Sequence, residues 1–126
     1  MPSHRANKWG TACEYRLIEA FDLEAARSSW RDAVDDRGRP WELKATKREH
    51  ADGQPGNFKI YREYHRKLKR KDGIYGFAVY RIRGRGCQIL DKRAIPAKKL
   101  PMLRWHGGGD HRGTQQAKLS INEVFG

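Results

Sequence analysis

The sequence predicts an α/β domain in which helices flank a central mixed β-sheet, and three observations carry that reading. Leu17, Ile18, Phe21 and Ala25 recur at helical spacing. Two strand-like runs, Arg31–Val34 and Trp41–Thr46, flank the turn-rich link Asp35–Pro40, the pattern of a hairpin. The run Ile74–Tyr80 is apolar at both parities, so that strand is expected to be covered on both faces. A length of 126 residues suits one hydrophobic core, and 37% hydrophobic with 10% aromatic residues separates the chain from disordered, charge-swollen sequences.

The elements follow in chain order. Residues 1–10 are polar and are expected to form a loose N-terminal segment ahead of a domain spanning 11–126. Thr11 is the expected N-cap of the first helix, and Asp22 caps a second turn or short helix through Arg27. Pro40 cannot donate to a ladder, which places it at a strand start or edge. Glu49–Asn57, with Gly53, Pro55 and Gly56, reads as a loop. A basic amphipathic helix follows over Phe58–Lys71, with Tyr61, Tyr64, His65 and Leu68 on one face and Asp72-Gly73 as its stop. Arg83–Gly86 turns the chain from the apolar strand into Cys87–Leu90. Ala97–Leu103 reads as a short helical segment, Gly107–Gly113 as an irregular link and Leu119–Phe125 as a strand or turn.

Charge narrows the partners. Lys and Arg total 27 against 15 Asp and Glu, a net charge of +12, and so much positive charge on a small surface calls for a polyanion. Nucleic acid leads and an anionic membrane comes second. The longest apolar run is far short of the roughly 20 residues that span a bilayer, so no membrane partner is expected. Residues 44–71 hold ten Lys/Arg against three acids. Within them Lys47, Arg48, Arg62, Arg66, Lys69 and Arg70 are expected to contact backbone phosphate. His65, set among Tyr61, Tyr64 and Leu68, reads either as a hydrogen-bonded core histidine or as a further nucleic-acid contact. Cys13 and Cys87 form neither a CxxC pair nor a disulfide ladder, which suits thiols in a reducing cytosol and a cytoplasmic protein. His106, Asp110 and His111 surround a glycine run without zinc-type cysteine spacing, so a surface loop is expected there.

Several acids are conspicuous in so basic a chain. Glu42 and Lys44 share one face of their strand while Leu43 takes the other. If Asp36-Arg37-Gly38 forms a three-residue loop with Gly38 left-handed, Asp32 lies directly opposite Glu42. Two carboxylates that close repel unless a cation sits between them, and a hard divalent ion with oxygen ligands resolves the repulsion while keeping positions open for phosphate and water. Mg²⁺ is the expected ion, with Mn²⁺ as its substitute. Lys44, one step along the same face, would reach that phosphate or the attacking water. Glu14 falls on the inward face of the first helix, where it either completes a capping box with Thr11 or joins the site. The plainer alternative for Asp32, Glu42 and Lys44 is a solvated cross-strand ion pair.

Glu14 on the first helix, Asp32 on one hairpin strand and Glu42-x-Lys44 on the other resemble the PD-(D/E)xK nuclease superfamily, the restriction-endonuclease-like fold that includes Holliday-junction resolvases. The helix-hairpin-helix-strand order over residues 11–82 agrees with it. The resemblance implies that Asp32, Glu42 and the carbonyl of Leu43 hold Mg²⁺, that Lys44 positions the nucleophilic water and that Glu14 supports the metal site. Two features depart from the family pattern. Arg31 stands where the motif has proline, and no strand is evident between Asp22 and Trp30; Asp35 and Asp36 therefore remain rivals to Asp32. The expected function is Mg²⁺-dependent endonucleolytic hydrolysis of DNA, with a homodimer as the arrangement that meets both strands. The alternatives are a non-catalytic basic nucleic-acid-binding protein and, more remotely, a basic subunit of a ribonucleoprotein.

Overall fold

The computed structural model describes residues 4–28, 30–48, 53, 56–84, 86–101, 103–107 and 115–126, with backbone alone for 4–11 and 27. Helix α1 (His4–Ala20) starts seven residues ahead of the expected Thr11, so Thr11 is inside the helix rather than at its cap. Its inward stripe is Cys13, Leu17, Ile18 and Phe21, the first two fully buried. Asp22 ends it at φ +56, with Asp22 N–H donating to the Glu19 carbonyl and Leu23 N–H to that of Ile18. This is the doubly bonded left-handed helix stop, with aspartate in the position glycine usually takes.

Because that stop turns the chain out of helical geometry, the next segment is an edge strand rather than a second helical turn. Strand β1 (Glu24–Ser28) pairs antiparallel with β2 (Arg31–Val34), supplying the strand the sequence did not reveal. Strand β3 (Pro40–Lys47) closes the hairpin and pairs parallel with β5 (Ile74–Arg83), which pairs antiparallel with β6 (Gly86–Pro96). The sheet order is β1-β2-β3-β5-β6. The crossover from β3 to β5 contains strand β4 (Asn57–Tyr61) and helix α2 (Arg62–Arg70), so the helix expected from Phe58 begins four residues later. The reason lies in the alternation Phe58-Lys59-Ile60, buried-exposed-buried, which suits a half-covered strand. Strand β8 (Gln115–Ser120) pairs with β4 and with the two-residue β7 (His106–Gly107) in a second, three-stranded sheet. A 3₁₀ turn over Ala97–Lys99 and the closing helix α3 (Ile121–Phe125), capped by Ser120 and Glu123, complete the chain. Most of the loop expected over Glu49–Asn57, together with Arg85, Asp110 and His111, lies outside the described residues.

The central sheet is covered on both faces, as the double apolar parity of β5 requires. On one face α1 packs on Ala33, Trp41 and Ile74, and the fit is close: a Cβ at Gly76 would stand 2.8 Å from Leu43 Cδ2 and 3.2 Å from the Phe21 ring. On the other, Tyr75, Phe77 and Val79 meet Phe58, Ile60, Leu68, Leu119 and Val124. Each such large buried side chain contributes roughly 1.5–3 kcal/mol. Cys13 and Cys87 are joined in a disulfide, Cα–Cα 5.9 Å, which ties α1 to β6 across 74 residues of sequence. The thiol reading is thereby corrected: sequence spacing did not show that helix and strand bring the two sulfurs together. Disulfides persist in oxidising surroundings, so cysteine usage no longer argues for a reducing cytosol. Among the described residues no helix is long and apolar enough to cross a membrane.

Candidate active site

The site begins with a turn. Gly38 adopts φ +76, Gly38 N–H donates to the Asp35 carbonyl (3.0 Å) and Asp35 N–H to that of Arg39 (3.1 Å), so Asp36-Arg37-Gly38 form the three-residue loop of the hairpin. This loop fixes the register: Val34 pairs with Pro40 and Ala33 with Trp41, which puts Asp32 and Glu42 opposite each other one step further on. Trp41 turns to the α1 face, where its ring lies 5.1 Å from that of Phe21, and Glu42 therefore turns to the other face.

There Glu42 and Asp32 hydrogen-bond each other, and Asp32 Oδ2 also accepts the Leu43 N–H at 2.8 Å. Burial pushes the Glu42 carboxyl up to about 9; Lys44 pulls it down, while the Asp32 hydrogen bond and the charges of Asp32 and Glu14 push it further up. Burial and the facing carboxyl thus favour the neutral form of Glu42. Lys44 Nζ lies 5.5 Å from the centre of the Tyr61 ring, which gives its side chain an aromatic rest beside the acid pair. Tyr75, paired with Glu42 across β3 and β5, keeps its phenol proton because burial first and the Glu42 charge second push its pKa up.

The remaining sequence candidates fall into place around this pair. Glu14 is half-buried on α1, and its charge is the weakest of the influences named on Glu42. Asp35 is fully engaged elsewhere: it accepts from the backbone N–H of Arg37 and Arg39, from Arg39 Nε (2.8 Å) and from Trp41 Nε1 (3.0 Å). Burial acts to raise its pKa, but these donors outweigh it and hold the carboxyl low. Asp36 is exposed in the turn. Arg31, in the position of the motif's proline, lies over the Trp30 ring at 5.3 Å, and Lys67 from α2 lies over the same ring at 5.1 Å.

On α2, Arg62, Arg66 and Lys69 border a cavity of about 310 Å³ with Trp105 and Lys98, and Arg62 hydrogen-bonds Gln115. Lys47 is half-buried at the end of β3, and Arg48 and Arg70 are exposed. His65 is 7% exposed, its Nδ1 2.9 Å from the Tyr75 hydroxyl. Burial, and then the Lys69 charge, lower its pKa to about 4, so the ring is neutral at physiological pH. Sequence reading overlooked Lys59 and Lys118 beside Lys44, although the alternations Phe58-Lys59-Ile60 and Ala117-Lys118-Leu119 mark both as outward-facing strand residues.

Among the described residues, no group of three Asp, Glu, His or Cys side chains converges as a full ligand set. Two carboxylates suffice for Mg²⁺, which keeps several waters and takes one or two protein carboxylates alongside substrate phosphate. Asp32 and Glu42, facing each other across the hairpin, are oxygen donors of the kind that ion takes. A search of curated proteins finds no match. A family model described as a PD-(D/E)XK nuclease superfamily domain matches residues 1–126, the whole length over which the hairpin, the crossover helix and the acid pair are built. With a central mixed sheet of the restriction-endonuclease-like kind and a family match over its whole length, the chain belongs to the PD-(D/E)XK nuclease superfamily.

Proposed function

We propose that the protein hydrolyses DNA phosphodiester bonds in a Mg²⁺-dependent endonucleolytic reaction at the Asp32–Glu42–Lys44 site. The observation that carries this reading is the carboxylate pair itself: Glu42 and Asp32 are held in contact by strand register, at a cost in repulsion that a bound cation relieves. Asp32, Glu42 and the Leu43 carbonyl would hold the ion, with Mn²⁺ as its substitute. When bound, Mg²⁺ supplies a Lewis acid for the phosphoryl oxygens and eases deprotonation of water.

The protein's own residues do the rest. Asp32 and Glu42 would present their carboxylate oxygens to the cation. Lys44, steadied on Tyr61, orients the attacking water and offsets the negative charge that grows on phosphate as water attacks phosphorus and one P–O ester bond breaks. Glu14 keeps the surrounding field negative and so favours the cation. Lys47, Arg48, Arg62, Arg66, Lys69 and Arg70 hold the flanking phosphates, and His65 supports that helix face from beneath. A homodimer would bring one site to each strand of a duplex.

The test is cleavage of nicked, branched and single-stranded DNA with Mg²⁺ or with EDTA, comparing the native protein with Glu42→Ala and Lys44→Ala. Cutting that needs Mg²⁺ and disappears in both variants is the expected result. Cutting that survives both substitutions would overturn the assigned site, and DNA retarded but uncut under every condition would mark a binding protein instead.

A further inference from the structure

The second sheet presents an arrangement that the acid pair does not explain. Along β4 and β8 the inward residues Phe58, Ile60, Ala117 and Leu119 are all buried, and the ladder sets Lys59 directly opposite Lys118 on the outward face. Like charges directly opposite in an antiparallel ladder, with Cβ atoms about 4.5–5.5 Å apart, destabilise it. Both lysines are exposed, and among the described residues neither is in an ion pair; those pairs are Arg39–Asp35 and Lys98–Asp72. A groove of about 430 Å³ runs from this lysine pair past Asn57 and Tyr61 to Lys44. The row of side chains is continuous, because Tyr61 is two residues from Lys59 on the same strand and its ring lies under Lys44.

We propose that Lys59 and Lys118 form a second phosphate subsite, which grips the substrate strand at a phosphate neighbouring the one attacked beside Lys44; this rests on the nuclease reading above. An anion between the two ammonium groups turns their repulsion into attraction, and each lysine acts as a flexible point charge that tolerates a moving backbone. The groove reaches Lys44, which suits a polyanionic strand better than a free phosphate ion. Because the grip is on backbone, the subsite adds affinity and register without reading sequence.

The experiment measures DNA binding in EDTA across a salt series, and then cleavage of strands carrying a single uncharged methylphosphonate at each position around the cut. Lys59→Ala/Lys118→Ala is expected to flatten the slope of log affinity against log salt by about 1 for each lysine. In the native protein, an uncharged group at one phosphate near the cut should lower kcat/KM by about tenfold, and in the double variant that same substitution should cost nothing further. Lys59→Arg/Lys118→Arg should retain the native slope. The double alanine variant should melt at or above the native temperature, since it removes a repulsion. An unchanged salt slope, or equal methylphosphonate penalties in native and variant proteins, would overturn the subsite. If no preparation cuts DNA while the slope still flattens, the nuclease reading falls and the lysine pair stands as a binding site.

Discussion

At the tip of the β2–β3 hairpin Asp35 accepts four hydrogen bonds, one of them from the Arg39 guanidinium, whereas at the base of the same hairpin Asp32 accepts one backbone N–H and faces a second carboxylate. The two aspartates are three residues apart and belong to the same structural unit. At the tip every donor is aimed at a negative charge and the carboxyl is held low. At the base the neighbours are negative, and Glu42 is pushed up until it keeps its proton. Donors around Asp35 build the turn; burial and a facing carboxyl hold Glu42 toward its neutral form.

The largest expected effect lies at the base. Glu42→Ala and Lys44→Ala should each lower kcat by roughly 10²- to 10³-fold or more while leaving the circular dichroism spectrum intact. Asp35→Ala should leave the cleavage rate per folded molecule near native, and a thousandfold loss there would erase the distinction between tip and base. Next comes the tie between α1 and the sheet: reducing Cys13–Cys87, whose closure spans 74 residues, should lower unfolding free energy by about 4 kcal/mol in denaturant titrations. At the tip, Asp35→Ala should cost about 2 kcal/mol in the same measurement, since it strands the Trp41 and Arg39 donors.

The comparison extends to pH. Glu42 is raised to about 9 from its ordinary value near 4.5, so the folded protein retains a proton that the unfolded chain releases. Stability of the metal-free protein should fall as pH rises from 5 to 9, a trend that Glu42→Gln removes and Mg²⁺ flattens. His65 works in the opposite direction. Its folded value of about 4 lies below the ordinary 6.5, so stability is lost as pH falls from 6.5 towards 4. Thermal melts of native, Glu42→Gln and His65→Gln proteins across pH 4–9 separate the two slopes.

Much of this site is legible in the sequence because hairpin geometry is local. A loop containing Gly38 sets the register, and period-two alternation then brings Asp32, Glu42 and Lys44 to one face. That Asp35 is taken up by the turn is not legible, because it depends on where the Arg39 and Trp41 side chains point. Strand β1 was obscured because Glu24–Ser28 has no apolar alternation and exists as an edge paired with β2. Strand β4 was hidden by the basic helix that follows it without a break, although Phe58-Lys59-Ile60 alternates. The disulfide and the Lys59–Lys118 pair are long-range meetings, 74 and 59 residues apart, that local pattern does not report.

The claim that the base of the hairpin, and not its tip, is built for a cation is tested most directly by binding of Mn²⁺ to the DNA-free protein, followed by electron paramagnetic resonance. The expected result is a bound ion in the native protein and in Asp35→Asn, and its loss in Asp32→Asn and Glu42→Gln. Mn²⁺ bound equally well by Asp32→Asn and Glu42→Gln, or lost on replacing Asp35, would contradict it.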